Sequence, residues 1–153
     1  MGTFSIRPMT EADIDAVMVI ENSIYVFPWT ARNFQDSLRA GYALHCMCLD
    51  EVLVGYVVTM NVVDETHLLN ISIRQDHQGK GHGKHLLQWS LTQARLAGSQ
   101  GMLLEVRPSN VSARALYDQQ GFKLIGVRKN YYPAPEGRED ALVMFKRFNS
   151  VLT

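Results

Sequence analysis

Gln78-Gly79-Lys80-Gly81-His82-Gly83 places three glycines within six residues and opens directly onto a run in which Leu86, Leu87, Leu91 and Ala94 recur at helical spacing before Gly98. A glycine-rich turn between a strand and a helix has a plain physical use. Without Cβ atoms the backbone can approach a ligand closely. The first N–H groups of the helix have no partner within it, and the helix dipole favours an anion at that end. Lys80 and Lys84 add positive charge. The stretch therefore reads either as a holder for a phosphate or pyrophosphate, or as a tight turn with two solvated lysines. Its spacing, G-x-G-x-G, departs from the dinucleotide fingerprint G-x-G-x-x-G, and Gly83-Lys84 is followed by His85 rather than the Ser or Thr of a P-loop.

Upstream of the loop the pattern is that of an antiparallel meander. Residues 4–7 form a short strand ending at Pro8, and Thr10 with Asp13 has the form of a capping box for a helix bearing Ile14, Val17 and Met18. Phe27-Pro28-Trp29 breaks that helix. Thr30 caps a second one, carrying Phe34 and Leu38 and stopped by Gly41. Strands are expected over 42–49, 52–62 (interrupted by Gly55) and 67–73, with Asp50-Glu51 as a turn. Downstream, a strand is expected over 102–106, then a helix beginning at Asn110 and closed by Gly121, with Ala113, Leu116 and Tyr117 on one stripe. Strands at 122–127 and 141–148 flank residues 128–140, which read as a polar loop. Parallel pairing is expected wherever a helix makes the crossover between strands.

The composition suits one such α/β domain over residues 1–153: the hydrophobic fraction is 46% and the charged fraction 20%, and a domain averages roughly 150 residues. Lys plus Arg equal Asp plus Glu at 15 each, so a zero net charge offers no overall basic field for nucleic acid. No apolar run approaches the roughly 20 residues that cross a bilayer, and residues 1–9 lack the basic start and apolar stretch of a secretory signal. Cys46 and Cys48 are too few for a disulfide scaffold. They alternate with His45 and Met47, so that Leu44, Cys46 and Cys48 share a strand face as small buried residues, and no further ligands stand near them for zinc. A soluble cytoplasmic domain, without membrane or direct nucleic-acid binding, is the expectation.

The glycine loop matches the pattern Q/R-x-x-G-x-G/A and resembles the acetyl-CoA pyrophosphate loop of the GCN5-related N-acetyltransferase (GNAT) superfamily. The element order fits that superfamily. Within it the chain is similar to bacterial enzymes that acetylate the N-terminal alanine of a small-subunit ribosomal protein. The segments that carry this likeness are Phe27-Pro28-Trp29, Asn70-Ile71-Ser72-Ile73, the loop, Leu104-Glu105-Val106-Arg107, Asn110 through Leu116-Tyr117 to Gly121-Phe122, Arg128-Lys129-Asn130-Tyr131-Tyr132-Pro133 and Gly137-Arg138-Glu139-Asp140-Ala141. Together they cover nearly the full length. Arg74-Gln75-Asp76-His77 departs, standing where relatives often carry an Asp-Pro turn and an aromatic residue.

The resemblance implies a mixed, mostly antiparallel central sheet flanked by helices, with an acetyl-CoA cleft between splayed central strands. It implies an acetyl-CoA-dependent Nα-acetyltransferase working by direct transfer in a ternary complex, with no covalent intermediate and no metal. Ile71, Ser72 and Ile73 would hold the pantetheine arm by their backbone. Gln78, Gly79, Lys80, Gly81, His82, Gly83 and Lys84 would take the pyrophosphate, and Asn110 would contact the cofactor. Glu105, the one carboxylate in an apolar run, resembles the general base acting through water. Tyr117 resembles the general acid: a phenol titrates near 10 and a thiol near 8.5, so protonation of the leaving thiolate runs about 1.5 units uphill. By spacing alone Tyr117 belongs to an apolar stripe. Phe27, Trp29, Tyr131 and Tyr132 would wall a peptide N-terminus, with packing beneath a loop as the other reading of Phe27 and Trp29. The partner implied is the N-terminus of a ribosomal protein, met by a monomeric enzyme. His82 and His85, one helical turn apart, lack a third ligand and read as solvated histidines near phosphate. The alternatives are a GNAT enzyme acting on a small-molecule amine or a lysine side chain, and a non-catalytic acyl-CoA-binding module. The aromatic residues with segment 128–140 argue against the first, and the joint presence of Glu105 and Tyr117 against the second.

Overall fold

Thr30 starts a helix as its sequence context demands. Its Oγ1 accepts from the Asn33 N–H at 3.1 Å while Asn33 Oδ1 accepts from the Thr30 N–H at 2.9 Å, a reciprocal box that satisfies two orphan donors. Asp13 Oδ2 likewise accepts from the Thr10 N–H at 2.8 Å. The computed structural model describes residues 3–149. Its elements are β1 (Phe4–Pro8), α1 (Ile14–Ile24), α2 (Ala31–Arg39), β2 (Ala43–Leu49), β3 (Val52–Val62), β4 (Glu65–Ile73), α3 (His82–Leu96), β5 (Gly101–Val106), α4 (Val111–Gln119), β6 (Lys123–Ala134) and β7 (Gly137–Arg147), with 3-10 turns at Glu11–Asp13 and Gln75–His77. The fold is mixed α/β, with a mostly antiparallel seven-stranded sheet in the order β1-β2-β3-β4-β5-β7-β6. Among the described residues no helix is long and apolar enough to cross a membrane.

The described chain falls into two compact units, one running to Met60 and resuming over Leu69–Ser90, the other comprising Asn61–Leu68 and everything from Leu91 onward. In the first, β1 to β3 form the expected meander. Asp50 and Glu51 both take positive φ (50° and 70°), the geometry of a tight two-residue hairpin turn. The core joins Ile14, Val17 and Ile20 of α1 and Phe34 of α2 to Leu44, Cys46, Cys48, Tyr56 and Val58. The predicted face of Leu44, Cys46 and Cys48 is thus buried together. Burial pushes the Cys46 thiol up to about 12, which keeps it protonated and unreactive. β3 runs through Gly55 without a break, and the glycine is there for a steric reason: a Cβ would stand 2.8 Å from Ser72 O.

In the second unit β4 runs parallel to β5, Glu65 to Leu68 opposite Gly101 to Leu104, the crossover pairing expected across α3. The same expectation does not extend to β5 and β6. β7 lies between them, antiparallel to both, because β6 turns back as a hairpin before the sheet is extended. Residues 128–140 are therefore not a loop. β6 continues to Ala134, Pro135 and Glu136 make the turn, and β7 begins at Gly137, whose φ of 88° suits glycine. The polar composition misleads because this end of β6 is largely exposed, with only Tyr132 and Ala134 half-buried, so no run of apolar alternation marks it. Met102, Leu104, Val106, Tyr117, Phe122, Ala141 and Met144 are buried here.

Candidate functional site

In the first unit lie all the residues expected at the cofactor except Asn110: Ile71 to Ile73 end β4, and Gln78 to Lys84 follow after the Gln75–His77 turn. The Arg74 N–H donates to Val54 O at 2.8 Å, and Gln78 Nε2 donates to Ile73 O at 2.8 Å. The first ties the residue after β4 to β3, and the second pins the entry of the glycine loop to the end of β4, where Ser72 and Ile73 are buried and Ile71 is half-buried. Gly79 and Gly81 take φ of 75° and 85°. A Cβ at either would meet nothing within 4 Å. Their requirement is thus conformational, and the space above them is open to a ligand. The His85 N–H makes its helical bond to Gly81 O at 3.0 Å, which leaves the N–H groups of His82, Gly83 and Lys84 at the start of α3. Lys84 is exposed, and Lys80 Nζ reaches Asp76 O at 3.4 Å. The chemistry of this stretch fits a pyrophosphate.

Arg74-Gln75-Asp76-His77 folds into a self-contained charge knot. Arg74 grips Asp76 through Nε at 2.7 Å and Nη2 at 2.9 Å, and His77 Nδ1 adds a third contact at 2.9 Å. The Arg74 guanidinium, then His77, holds the Asp76 carboxyl well below the usual range. His82 packs against Phe4 with the rings tilted, centroids 4.6 Å apart. Its pKa is lowered, first by burial and then by the charges of His77, Lys80 and His85. Among the described residues no group of three His, Cys, Asp or Glu is placed to hold a metal ion.

Replacing Gly81 with Ala tests the loop. Forcing an L-residue into the left-handed region costs about 1–2 kcal/mol, and nothing else at this position clashes. The expected outcome is a severalfold rise in the KM for acetyl-CoA, with a thermal midpoint only a few degrees lower and an unchanged KM for the acceptor.

A buried carboxylate that the sequence reading passed over organises the same unit. Glu21, on the buried stripe of α1 with Val17 and Ile20, is only 2% exposed. Its Oε1 accepts from Tyr56 OH at 2.7 Å and Asn70 Nδ2 at 3.0 Å, and its Oε2 from the Trp29 N–H at 2.9 Å. Asn70 Oδ1 in turn accepts from Ser72 Oγ at 2.9 Å, and Ser72 Oγ lies 2.7 Å from Tyr25 OH. One carboxylate thus links the Phe27-Pro28-Trp29 segment to the end of β4. Burial raises the pKa of both Tyr25 and Tyr56, so both remain protonated as donors. The signal available in the sequence was a lone Glu at an apolar position of a helix. Trp29 packs against Phe34 at 5.0 Å, and it borders a cavity of about 490 Å³ with Asn33, Asp36, Tyr42 and Leu69. Phe27 is exposed.

The second unit holds the remaining candidates. Glu105 lies on β5, half-buried, with Arg128 Nε 2.7 Å from its Oε2. The contact lies off the line of a hydrogen bond, so this buried oxygen has no aligned donor among the described residues. Tyr132 stands close by. Burial raises its phenol to about 12, with the negative charge of Glu105 contributing next, and the Arg107 guanidinium covers its ring at 4.4 Å. Arg107 Nη1 also donates to Pro133 O at 2.7 Å, while Glu139 accepts from Ser109 N–H at 2.8 Å and Ser109 Oγ at 3.0 Å. These bonds fasten the β6–β7 hairpin to the loop that feeds α4. Tyr131 is exposed and meets Tyr132 edge-on at 5.1 Å. Asn110 caps α4, its Oδ1 accepting from the Ala113 N–H at 3.3 Å. Tyr117 is 7% exposed and packs on Phe122, as its stripe position implied.

The parallel β4–β5 pairing and the glycine turn that opens α3 are what a fold of the GNAT acetyltransferase type requires. Residues 14–122 match the model of the Acetyltransferase (GNAT) family, and the chain belongs to that family. It is 35% identical over 144 residues to the ribosomal protein bS18-alanine N-acetyltransferase of Salmonella typhimurium, covering 94% of this chain and 96% of the relative. It is 36% identical over 140 residues to the enzyme of that name from Haemophilus influenzae, covering 91% and 95%. The crystal structure of the ribosomal-protein-S18-alanine N-acetyltransferase from Escherichia coli superposes with a TM-score of 0.89 at 31% identity, over 99% of each chain.

Proposed function

We propose that this chain transfers the acetyl group of acetyl-CoA to the α-amine of the N-terminal alanine of a small-subunit ribosomal protein, both substrates being bound together, in a single acetyltransferase domain of the cytoplasm. The observation that carries this reading is the 35% identity over 94% of the chain to a relative named for that reaction. Acetyl-CoA supplies an activated thioester. The open backbone over Gly79 and Gly81, the N–H groups opening α3 and the charges of Lys80 and Lys84 support pyrophosphate binding, and the backbone of Ile71, Ser72 and Ile73 is assigned to the pantetheine arm. Asn110, already a helix cap, is assigned a cofactor contact through its amide.

An N-terminal ammonium, with a pKa of about 8, has to lose a proton before it attacks. Glu105 is assigned that proton, and Tyr117 is assigned the delivery of one to the departing thiolate. Phe27, Trp29, Tyr131 and Tyr132 are assigned to the acceptor peptide. Neither cysteine takes part: both are buried, and Cys46 is held as a neutral thiol.

Two measurements test the reading. Mass spectrometry of ribosomal proteins from a deletion strain is expected to show one small-subunit protein with an unacetylated N-terminal alanine. Purified enzyme is expected to acetylate alanine-initiated peptides in preference to polyamines or internal lysines by at least tenfold. Intact acetylation in the deletion strain overturns the substrate, and a preference for polyamines overturns the acceptor class.

A further inference from the structure

The β6–β7 hairpin carries a bulge that the acid–base assignments leave unused. Arg128 pairs with Ala141 and Tyr132 with Glu139, so Lys129, Asn130 and Tyr131 of β6 oppose Asp140 alone. Asn130 takes a φ of 51°, a disfavoured conformation for a residue with a Cβ. Two β7 side chains hold it there. Asp140 Oδ1 accepts from the Asn130 N–H at 2.9 Å and its Oδ2 lies 3.4 Å from Lys129 Nζ. Arg138 donates to Asn130 O at 3.0 Å and to Tyr131 O at 2.7 Å. Bulges re-aim the side chains beside them. Here the neighbour is Arg128, whose Nε lies 2.7 Å from Glu105 Oε2. Its guanidinium also lies 5.5 Å from the centre of the Tyr131 ring.

We propose that Arg128 is a positioning residue that holds the Glu105 carboxylate as its counter-cation while no acceptor is bound, and that the acceptor's own ammonium displaces it. The proposal rests on Glu105 being the base. A half-buried carboxylate on an apolar strand needs a positive partner, and the incoming amine arrives as a cation that seeks the same oxygen. Arg128 Nε occupies the side of Oε2, and an acceptor ammonium drawn to that oxygen, directly or through water, competes with the guanidinium for the place. Arg128 is built to release Glu105: its side chain is 57% exposed, its contact breaks no aligned hydrogen bond, and the face of Tyr131, already 5.5 Å away, keeps a partner for the guanidinium. The clamp by Asp140 and Arg138 keeps the backbone in place while the side chain moves. The empty enzyme thereby contains a competitor for its own acceptor.

The test compares wild type, Arg128→Gln and Arg128→Lys in initial-rate assays with an alanine-initiated peptide of uncharged side chains, alongside thermal unfolding. Wild-type turnover of this peptide is established first, so that a failure of the proposed function is seen before the inference is tested. Arg128→Gln is expected to lower the acceptor KM at least threefold and leave the KM for acetyl-CoA within twofold, while Arg128→Lys stays near wild type. In a Glu105→Gln background, where the shared charge is gone, Arg128→Gln is expected to leave peptide affinity, measured by calorimetry with CoA present, unchanged. An acceptor KM that is unchanged or raised in an Arg128→Gln variant with the wild-type unfolding midpoint overturns the proposal, as does an equal gain in affinity in the Glu105→Gln background. Should Arg128→Gln fold poorly, Asp140→Asn, which loosens the bulge, is expected to lower the acceptor KM in the same direction, and a rise there overturns the proposal too.

Discussion

Replacing Glu105 with Gln is expected to lower kcat for an alanine-initiated peptide at pH 7 by about a hundredfold or more, the ordinary yield of a general base. The amide keeps the shape of the side chain but cannot take a proton, so the KM for acetyl-CoA stays within twofold. The defect has a predictable pH dependence. With a pKa of about 8, roughly a tenth of an N-terminal amine is neutral at pH 7 and roughly nine tenths at pH 9. Solvent then does the work of the base, and the ratio of wild-type to variant rates shrinks as pH rises. A lysine acceptor, titrating near 10.4, would go from about 0.04% neutral at pH 7 to about 4% at pH 9, so the variant rate on lysine would still climb steeply at pH 9, where the rate on an α-amine levels off. The pH profile of Glu105→Gln thus reports both the role of the residue and the class of amine. A ratio that stays constant from pH 7 to pH 9, or a variant with full activity at pH 7, removes Glu105 from the proton path. Tyr117→Phe is the companion variant, with its loss concentrated in kcat and insensitive to acceptor deprotonation.

What the sequence makes legible here is set by local chemistry. Thr30 as a cap, the Asp50-Glu51 turn and the glycines at 79 and 81 announce themselves because capping and turn formation are properties of single residues and close neighbours. The face of Leu44, Cys46 and Cys48 follows from the period of a strand. β4 begins at Glu65 rather than at 67 because Thr66, a polar residue, turns inward and bonds to Asn61 and Ser99. The continuation of β6 past Arg128 is hidden for the opposite reason: its pairing is held by backbone and by Asp140 and Arg138, not by a buried apolar face. The Arg128–Glu105 pair spans 23 residues of sequence and depends on that bulge, so no spacing rule points to it. Beyond the glycine loop and its lysines, the cofactor and acid–base candidates are readable only as a family likeness, since a Tyr on an apolar stripe and a Glu on a strand have ordinary structural uses.

Glu21 was the least legible residue and yields the largest expected effect on stability. A glutamate is almost never fully buried unless its charge is met, and here three donors from three segments meet it: Tyr56 OH, the Asn70 side-chain amide and the Trp29 N–H. Truncation to Ala leaves all three facing a void. An unsatisfied buried donor costs about 1–3 kcal/mol. With partial relaxation or water entry, Glu21→Ala is expected to lose about 3–5 kcal/mol, a fall in thermal midpoint of about 10 °C or more for a chain of this size. Glu21→Gln keeps the volume and one acceptor oxygen but turns an N–H₂ toward one of the donors, so a loss of about 1–3 kcal/mol is expected. Amide hydrogen exchange separates a local from a global effect. The Trp29 N–H loses its acceptor outright in Glu21→Ala, so its protection should fall further than that of amides in the β2–β3 hairpin of the same unit. Because the same carboxylate steadies Asn70, and through it Ser72, at the strand end assigned to the pantetheine arm, Glu21→Gln should also raise the KM for acetyl-CoA. A Glu21→Ala variant that melts within 2 °C of wild type would mean that the three donors find other partners, and that the carboxylate is a bystander in this core.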